Sequence, residues 1–240
     1  MDSAQLSATD ARTKARIAGA LWLGVIVLGV AAMPAAQMYV SDPDITAARI
    51  LAAPGLYRAG VVGTFVSGLL YVALVGLLYE ILRPVSKTLS LMQLLFAMTG
   101  CAAGAVVTMI QLMPLVILTG RAAAAFTPEQ AHGLAHTWFQ ASRQGFYVGM
   151  ICFGIHILLT GTLIARSRFL PRWIGQMLMV GGSCYALGST TILLRPASAA
   201  VLFPVVVLAA FIGEGTLALW LTTRGLDSSR WAAVQSGVAG

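Results

Sequence analysis

The stretch AVLFPVVVLAAFIGEGTLALWLTT, residues 200–223, decides the fold of this chain. It is almost entirely apolar, and it exceeds the roughly 20 helical residues that cross a hydrocarbon core about 30 Å thick. Glu214 is the one charged residue within it. A charge at that depth costs at least about 2.5 kcal/mol unless it is paired. The stretch therefore predicts a transmembrane helix that carries a polar site.

The same apolar pattern recurs along the chain. Of the 240 residues, 58% are hydrophobic and only 10% are charged, and the mean hydropathy is +0.86, which excludes an ordinary soluble domain. We predict an all-α polytopic integral membrane protein with six transmembrane helices in one bundle. The predicted spans are 17–38, 59–81, 88–119, 144–165, 172–194 and 200–223.

The basic residues indicate the orientation of these spans. The net charge of +7 could suggest a nucleic-acid partner, but the Lys and Arg residues separate the apolar stretches and form no basic stripe, so we expect none. Because Lys and Arg collect on the cytoplasmic side, both termini are predicted to be cytoplasmic, in a multi-pass protein of the bacterial inner membrane. The cytoplasmic segments then hold Arg12, Lys14, Arg16, Arg83, Lys87, Arg166, Arg168, Arg172, Arg224 and Arg230, against Arg49, Arg58, Arg121, Arg143 and Arg195 outside.

The predicted organisation is a short basic cytoplasmic arm (1–16), a six-helix transmembrane domain (17–223) and a mobile cytoplasmic tail (224–240). The first span could instead be a cleaved signal peptide, since a basic stretch precedes it and small residues follow near Ala35. Its apolar run is longer than the apolar core of a usual signal peptide, which favours retention. Four tryptophans near cytoplasmic ends are predicted interfacial anchors: Trp22, Trp173, Trp220 and Trp231.

Two helices are predicted on the outer side. Residues 45–53 form a short helix that Pro54 ends. A long helix, 128–165, begins with a capping residue, Thr127, then Pro128 at the first helical position and Gln130 at the third. At 1.5 Å per residue it would measure roughly 57 Å, so its first third should project beyond the membrane or kink near Gly145.

Two ionisable residues are predicted to lie at matching depth near the bilayer centre. His156 and Glu214 each precede the cytoplasmic end of a span by about nine residues, or roughly 13 Å. Helical counting brings Tyr185, Ser183 and Tyr71 to a similar level. Two interpretations stay open: a proton-handling or ligand-binding pocket, and a set of interhelical hydrogen bonds that only stabilises the bundle.

Metal and redox sites are not predicted. His132 and His136 share a helical face, but no Glu completes an HExxH motif and no further ligand is close in sequence. The cysteines, Cys101, Cys152 and Cys184, are odd in number and form no CxxC motif. A bis-histidine haem needs two facing imidazoles, and His156 is the only histidine within a predicted span. The sequence therefore leaves the cofactors of the protein unknown.

Two surface features add expectations about partners. The inner loop between the fourth and fifth spans carries Arg166, Arg168 and Arg172, which are candidates to bind anionic lipid head groups in the bilayer. Small residues four apart, namely Gly100 with Gly104, Ala20 with Gly24 and Gly182 with Ala186, predict close helix packing. Such pairs also leave homo-oligomerisation open, without supporting it.

Four stretches carry a family resemblance: 44–58 (DITAARILAAPGLYR), 78–85 (LYEILRPV), 153–175 (FGIHILLTGTLIARSRFLPRWIG) and 214–225 (EGTLALWLTTRG). Together they resemble the bacterial membrane family catalogued as domain of unknown function 4386. The likeness follows the chain in order over nearly its whole length. It implies the multi-pass architecture and implies no activity.

Three function classes remain from the sequence. No P-loop, dinucleotide fingerprint, HExxH or GxSxG motif occurs in the chain. We favour a non-enzymatic membrane protein that binds a lipophilic ligand or a membrane partner at the intramembrane polar cluster. The alternatives are a small proton-coupled transporter, and an intramembrane enzyme or haem protein that uses His156 and Glu214.

Overall fold

The protein is an all-α bundle whose helices lie close to the predicted spans. The computed structural model describes residues 7–120 and 124–237, so Arg121 and both extreme ends of the predicted arm and tail lie outside the described residues. Six of its helices are long and apolar enough to cross a membrane, which confirms the predicted class. The helices are α1 (Ala8–Ala36), α2 (Pro43–Ala52), α3 (Pro54–Leu82), α4 (Lys87–Thr119), α5 (Pro128–Arg166), α6 (Arg172–Leu194), α7 (Ala199–Thr223) and α8 (Ser228–Gln235).

The helix starts follow from side-chain caps. The Ser86 hydroxyl accepts a hydrogen bond from the Leu89 amide at 3.3 Å and opens α4. At α5 the predicted capping box is confirmed, because Thr127 accepts from the Gln130 amide while the Gln130 side chain accepts from the Thr127 amide. These bonds satisfy amides that the first helical turn leaves without partners.

Helix α1 begins well before the predicted first span. The basic arm is therefore partly helical, and Ala11 and Ala15 on its inner face are fully buried. Lys14 on this segment pairs with Glu80 near the end of α3. The sequence missed this extension because charged residues lowered the apolar character of a segment that continues the same helix.

The six long helices form a closed ring. Each packs on the next in the order α1, α3, α4, α5, α6, α7, and α7 returns to pack on α1. Successive long helices run antiparallel, since short connections join them. All described members of the predicted cytoplasmic set of basic residues consequently lie at one end of the ring, which we call the basic end.

The C-terminal segment differs from the mobile tail that the sequence suggested. Helix α8 docks on the basic end, where Trp231 is fully buried and its indole nitrogen donates to the Ile81 carbonyl at 2.9 Å. Trp22 is also fully buried, so the prediction of an interfacial anchor was wrong for both tryptophans. Trp173, which is 48% exposed, keeps that interpretation.

Four glycines allow α5 and α6 to touch backbone to backbone. A Cβ on Gly182 would lie 2.5 Å from the Leu158 amide nitrogen and 2.6 Å from the Gly154 carbonyl oxygen. One contact further along, a Cβ on Gly175 would lie 2.6 Å from the Gly161 carbonyl oxygen. We call Gly154, Gly161, Gly175 and Gly182 the glycine seam. It fixes the position of α5, and with it that of His156.

The orientation in the membrane gives a direct test. A reporter fused after Lys87 or Arg168 should show cytoplasmic activity, and one fused after Ala48 or Ala124 should show activity on the outer side, because the positive-inside rule predicts a cytoplasmic basic end. Paired reporters that work on only one side of the membrane, such as alkaline phosphatase and green fluorescent protein, would measure this. The reversed pattern would contradict the charge argument.

Candidate functional site

Glu214 is anchored across the closure of the ring. Its carboxyl oxygen Oε2 accepts a hydrogen bond from the indole nitrogen of Trp22 at 3.0 Å. Trp22 comes from α1 and Glu214 from α7, the two helices that close the circle. Tyr185 of α6 lies beside the same carboxyl group. The carboxyl group is therefore held by groups from both neighbouring helices, as the cost of leaving it against lipid requires.

Tyr71 lies between this carboxyl site and His156. Its ring meets the Trp22 ring edge-on, with centroids 6.3 Å apart and an interplanar angle of 78°. On its other side it meets the His156 ring at 5.7 Å and 71°. No direct hydrogen bond joins His156 to Glu214 in residues 7–120 and 124–237. The Tyr71 ring contacts both Trp22, the donor to Glu214, and His156.

His156 is fully buried and has a defined hydrogen-bond role. Its Nδ1 lies 2.9 Å from the Gln93 carbonyl oxygen. A carbonyl oxygen can only accept, so Nδ1 carries the hydrogen and Nε2 of the neutral ring is left as an acceptor. That Nε2 is buried and has no hydrogen-bond partner in the part of the chain that the structure describes.

The Gln93 side chain is a second buried group with unused hydrogen-bonding capacity. Its Oε1 lies 3.5 Å from the Thr160 hydroxyl, while its amide nitrogen Nε2 finds no partner among the described residues. Gln93 and Thr160 are both fully buried. The described residues thus leave a hydrogen-bond acceptor on His156 and a donor on Gln93 unused, and a hydroxyl group complements either one.

The other predicted site residues have separate positions. The Ser183 hydroxyl donates to the Met179 carbonyl of its own helix at 2.9 Å, so it does not join the cluster. Arg166, Arg168 and Arg172 are all exposed at the basic end, and of the three only Arg168 borders the cavity described below. The three cysteines are free and partly buried.

Sequence reasoning missed Trp22, Gln93 and Thr160. Trp22 was interpreted as an anchor because it follows a basic segment, but the earlier start of α1 places it deeper. Gln93 offered a usable signal, since an amide within an apolar span must find a partner or line a site. Thr160 gave none, because threonine in a span usually bonds to its own helix.

The outer histidines hold α2 and its preceding loop against α5. His132 Nδ1 lies 2.7 Å from an Asp44 carboxyl oxygen, and His136 Nε2 lies 3.0 Å from the Val40 carbonyl. Tyr39 stacks on His136, and the Arg143 guanidinium lies over the Tyr39 ring, 4.7 Å from its centroid. The described residues contain no group of three or more metal-binding side chains drawn from His, Cys, Asp and Glu.

Two cavities stand out, and neither borders the intramembrane cluster. The larger, about 530 Å³, opens at the basic end. The smaller, about 160 Å³, lies at the opposite end beside Tyr39, Arg143 and Tyr147. A pocket beside His156 and Glu214 was one of the two interpretations of the sequence, and neither of these cavities is that pocket.

Comparison with known proteins identifies the family. The family model described as "Domain of unknown function (DUF4386)" matches residues 17–225. The chain belongs to this family. All four resembling stretches lie within the DUF4386 match, as do Trp22, Tyr71, Gln93, His156, Tyr185 and Glu214.

One relative is an archaeal protein. An "Uncharacterized protein" of Archaeoglobus fulgidus is 29% identical over 178 residues, which cover 72% of this chain and 86% of that protein. No solved structure matches the chain. DUF4386 membership thus supports the multi-pass architecture and leaves the chemistry to the residues of the site.

Proposed function

We propose that this integral membrane protein binds a lipophilic molecule that bears a hydroxyl group, and that His156 and Gln93 receive this group. The observation that carries the proposal is the pair of buried nitrogen atoms, His156 Nε2 and Gln93 Nε2, that lack partners among the described residues. Unsatisfied polar groups at membrane depth cost several kcal/mol each. A hydroxyl that donates to His156 and accepts from Gln93 would remove that cost.

The depth and surroundings of the site favour a lipophilic carrier of the hydroxyl. His156 precedes the end of α5 by about ten residues, or roughly 15 Å of helix. Tyr71 and Phe153 lie edge-on at 5.0 Å and enclose the same region with aromatic surface. A molecule that reaches this level from the bilayer keeps its apolar part in hydrocarbon and orients its polar group inward.

The proposal predicts a retained ligand that depends on His156. The purified protein should keep an added mass of a hydroxyl-bearing lipid in native mass spectrometry, either from the cell membrane or after incubation with a total lipid extract. His156→Phe and Gln93→Leu should each raise the dissociation constant about tenfold, the effect of losing one hydrogen bond worth about 1.4 kcal/mol. Occupancy at a fixed lipid concentration below saturation measures this change. Thr99→Val is the matched control, because Thr99 is exposed and its hydroxyl donates to Leu95 of its own helix.

Other outcomes would assign a different class. Equal retention by wild type and His156→Phe, or no retention at all, would contradict ligand binding at this site. A Soret band that His156→Phe abolishes would indicate haem. Uptake of a solute into proteoliposomes that depends on a proton gradient and is lost in His156→Phe would indicate a proton-coupled transporter.

A further inference from the structure

The larger cavity at the basic end brings together arginines from four separate segments. Arg12 comes from α1, Arg168 from the loop between α5 and α6, Arg224 from the end of α7 and Arg230 from α8. The positive-inside rule explains why these residues are on this side. It does not explain why they converge on one cavity of about 530 Å³.

The charge balance of the cavity is strongly positive. Asp227 is the one carboxylate that borders it, and one Oδ2 contact at 3.3 Å ties it to Arg230. The Ser229 hydroxyl and the Arg230 amide donate to Asp227, and these bonds lower the pKa of its carboxyl group. Asp227 therefore stays ionised, and four guanidinium groups face a single negative charge.

The loop that presents Arg168 is held in a fixed shape. Arg168 has a φ of 60°, in the left-handed region that residues other than glycine rarely adopt. The Phe169 carbonyl accepts from the Asp227 amide at 3.1 Å, and the Arg168 carbonyl accepts from Arg230 at 3.3 Å. A strained backbone that several contacts maintain is typical of binding sites.

The cavity also has an apolar side. Phe169, Leu170 and Leu226 are buried behind it, and the Arg224 guanidinium lies 5.9 Å from the centroid of the Trp220 ring. Trp220 in turn meets the exposed Trp173 edge-on at 6.3 Å. Aromatic and apolar surface next to arginines at a membrane boundary suits a head group whose acyl chains continue into the bilayer.

We propose that this cavity binds a phosphate group, carried either by an anionic lipid or by a soluble molecule. The N–H groups of a guanidinium match the spacing of phosphate oxygens, so one arginine can donate two parallel hydrogen bonds to one phosphate. The excess of three positive charges, carried by arginines from four segments, supplies the attraction. This site is separate from the intramembrane cluster, and Arg12 and Arg230 lie outside the stretch that matches the family.

Two arms of one experiment distinguish the two sources. The full chain is placed in phosphatidylcholine nanodiscs, and its melting temperature is measured with phosphatidic acid added to the bilayer or with inorganic phosphate added to the buffer. Chloride at equal ionic strength is the reference in both arms. Stabilisation in the first arm assigns a lipid source, and stabilisation in the second assigns a soluble one.

Two double variants test the cavity itself. Arg168→Gln with Arg224→Gln removes two charges from its lining, and we expect the apparent affinity to fall about tenfold or more. Arg166→Gln with Arg172→Gln is the matched control, since it removes the same charge from exposed positions nearby that do not border the cavity. The control should bind as wild type does.

A third variant tests the cavity in case the double variant Arg168→Gln with Arg224→Gln misfolds. Ser228→Asp places a negative charge on the cavity wall at the first position of α8, where an acidic residue favours the helix. It should abolish binding while the melting temperature without ligand is kept. Equal losses in both double variants would mean diffuse surface attraction, and no stabilisation by either phosphate source would mean no site; both results would overturn the proposal.

Discussion

Gly182→Ala should separate α5 from α6 and lower the free energy of unfolding by about 3 kcal/mol. The added methyl group would lie 2.5 Å from the Leu158 backbone nitrogen and 2.6 Å from the Gly154 carbonyl oxygen. Both atoms belong to helix backbone, so no side chain can turn away to make room. Thermal or denaturant unfolding of the purified protein in one detergent would measure the loss.

Gly104→Ala is the matched control for this prediction. Gly104 lies in α4, and a Cβ there would meet nothing within 4 Å. Because alanine is the better helix former by up to about 1 kcal/mol, this variant should be neutral or slightly stabilising. Equal behaviour of the two variants would show that α5 and α6 are further apart than the glycine seam requires.

The fold was largely readable from the sequence because hydrocarbon imposes a simple rule on span length. The six spans, the capping box at Thr127 and the short helix before Pro54 all follow from local pattern. The close packing predicted for Gly182 and Ala186 is confirmed, since a Cβ on Gly154 would lie 2.5 Å from the Ala186 amide nitrogen and 2.8 Å from the Gly182 carbonyl oxygen. The full glycine seam does not follow from pairs of small residues four apart. Its members are seven apart on each helix, Gly154 with Gly161 and Gly175 with Gly182, and their pairing depends on which helices become neighbours.

The site was harder to predict than the fold. The depth of a residue in the bilayer can be counted along its helix, and this count predicts a similar depth for His156, Glu214 and Tyr71. The direction in which a side chain points from its helix axis depends on which helices become neighbours in the ring. The sequence of a single span does not encode that order. That order turns Trp22 toward Glu214 and Gln93 toward His156, and it turns the Ser183 hydroxyl back to its own helix.

The hydrogen bond between Trp22 and Glu214 leads to the second large expected effect. Glu214→Leu should destabilise the bundle by about 2 kcal/mol, because it leaves the buried indole N–H of Trp22 without its acceptor. Glu214→Gln should cost clearly less, since its amide oxygen can still accept from Trp22. The order of the two variants distinguishes a hydrogen bond from simple packing, for which leucine would be the better replacement.

A double-mutant cycle isolates this contact from the volume lost with the indole. Trp22→Phe alone removes both packing and the donor, so its cost exceeds that of the hydrogen bond. Combined with Glu214→Leu, it should cost about 1–2 kcal/mol less than the sum of the two single changes, because a bond already broken cannot be lost again. Unfolding in the same detergent measures all four proteins. Strict additivity would mean that Trp22 does not hold Glu214, and that α1 and α7 close the ring through apolar packing and the close approach of Gly19 to the Thr222 backbone.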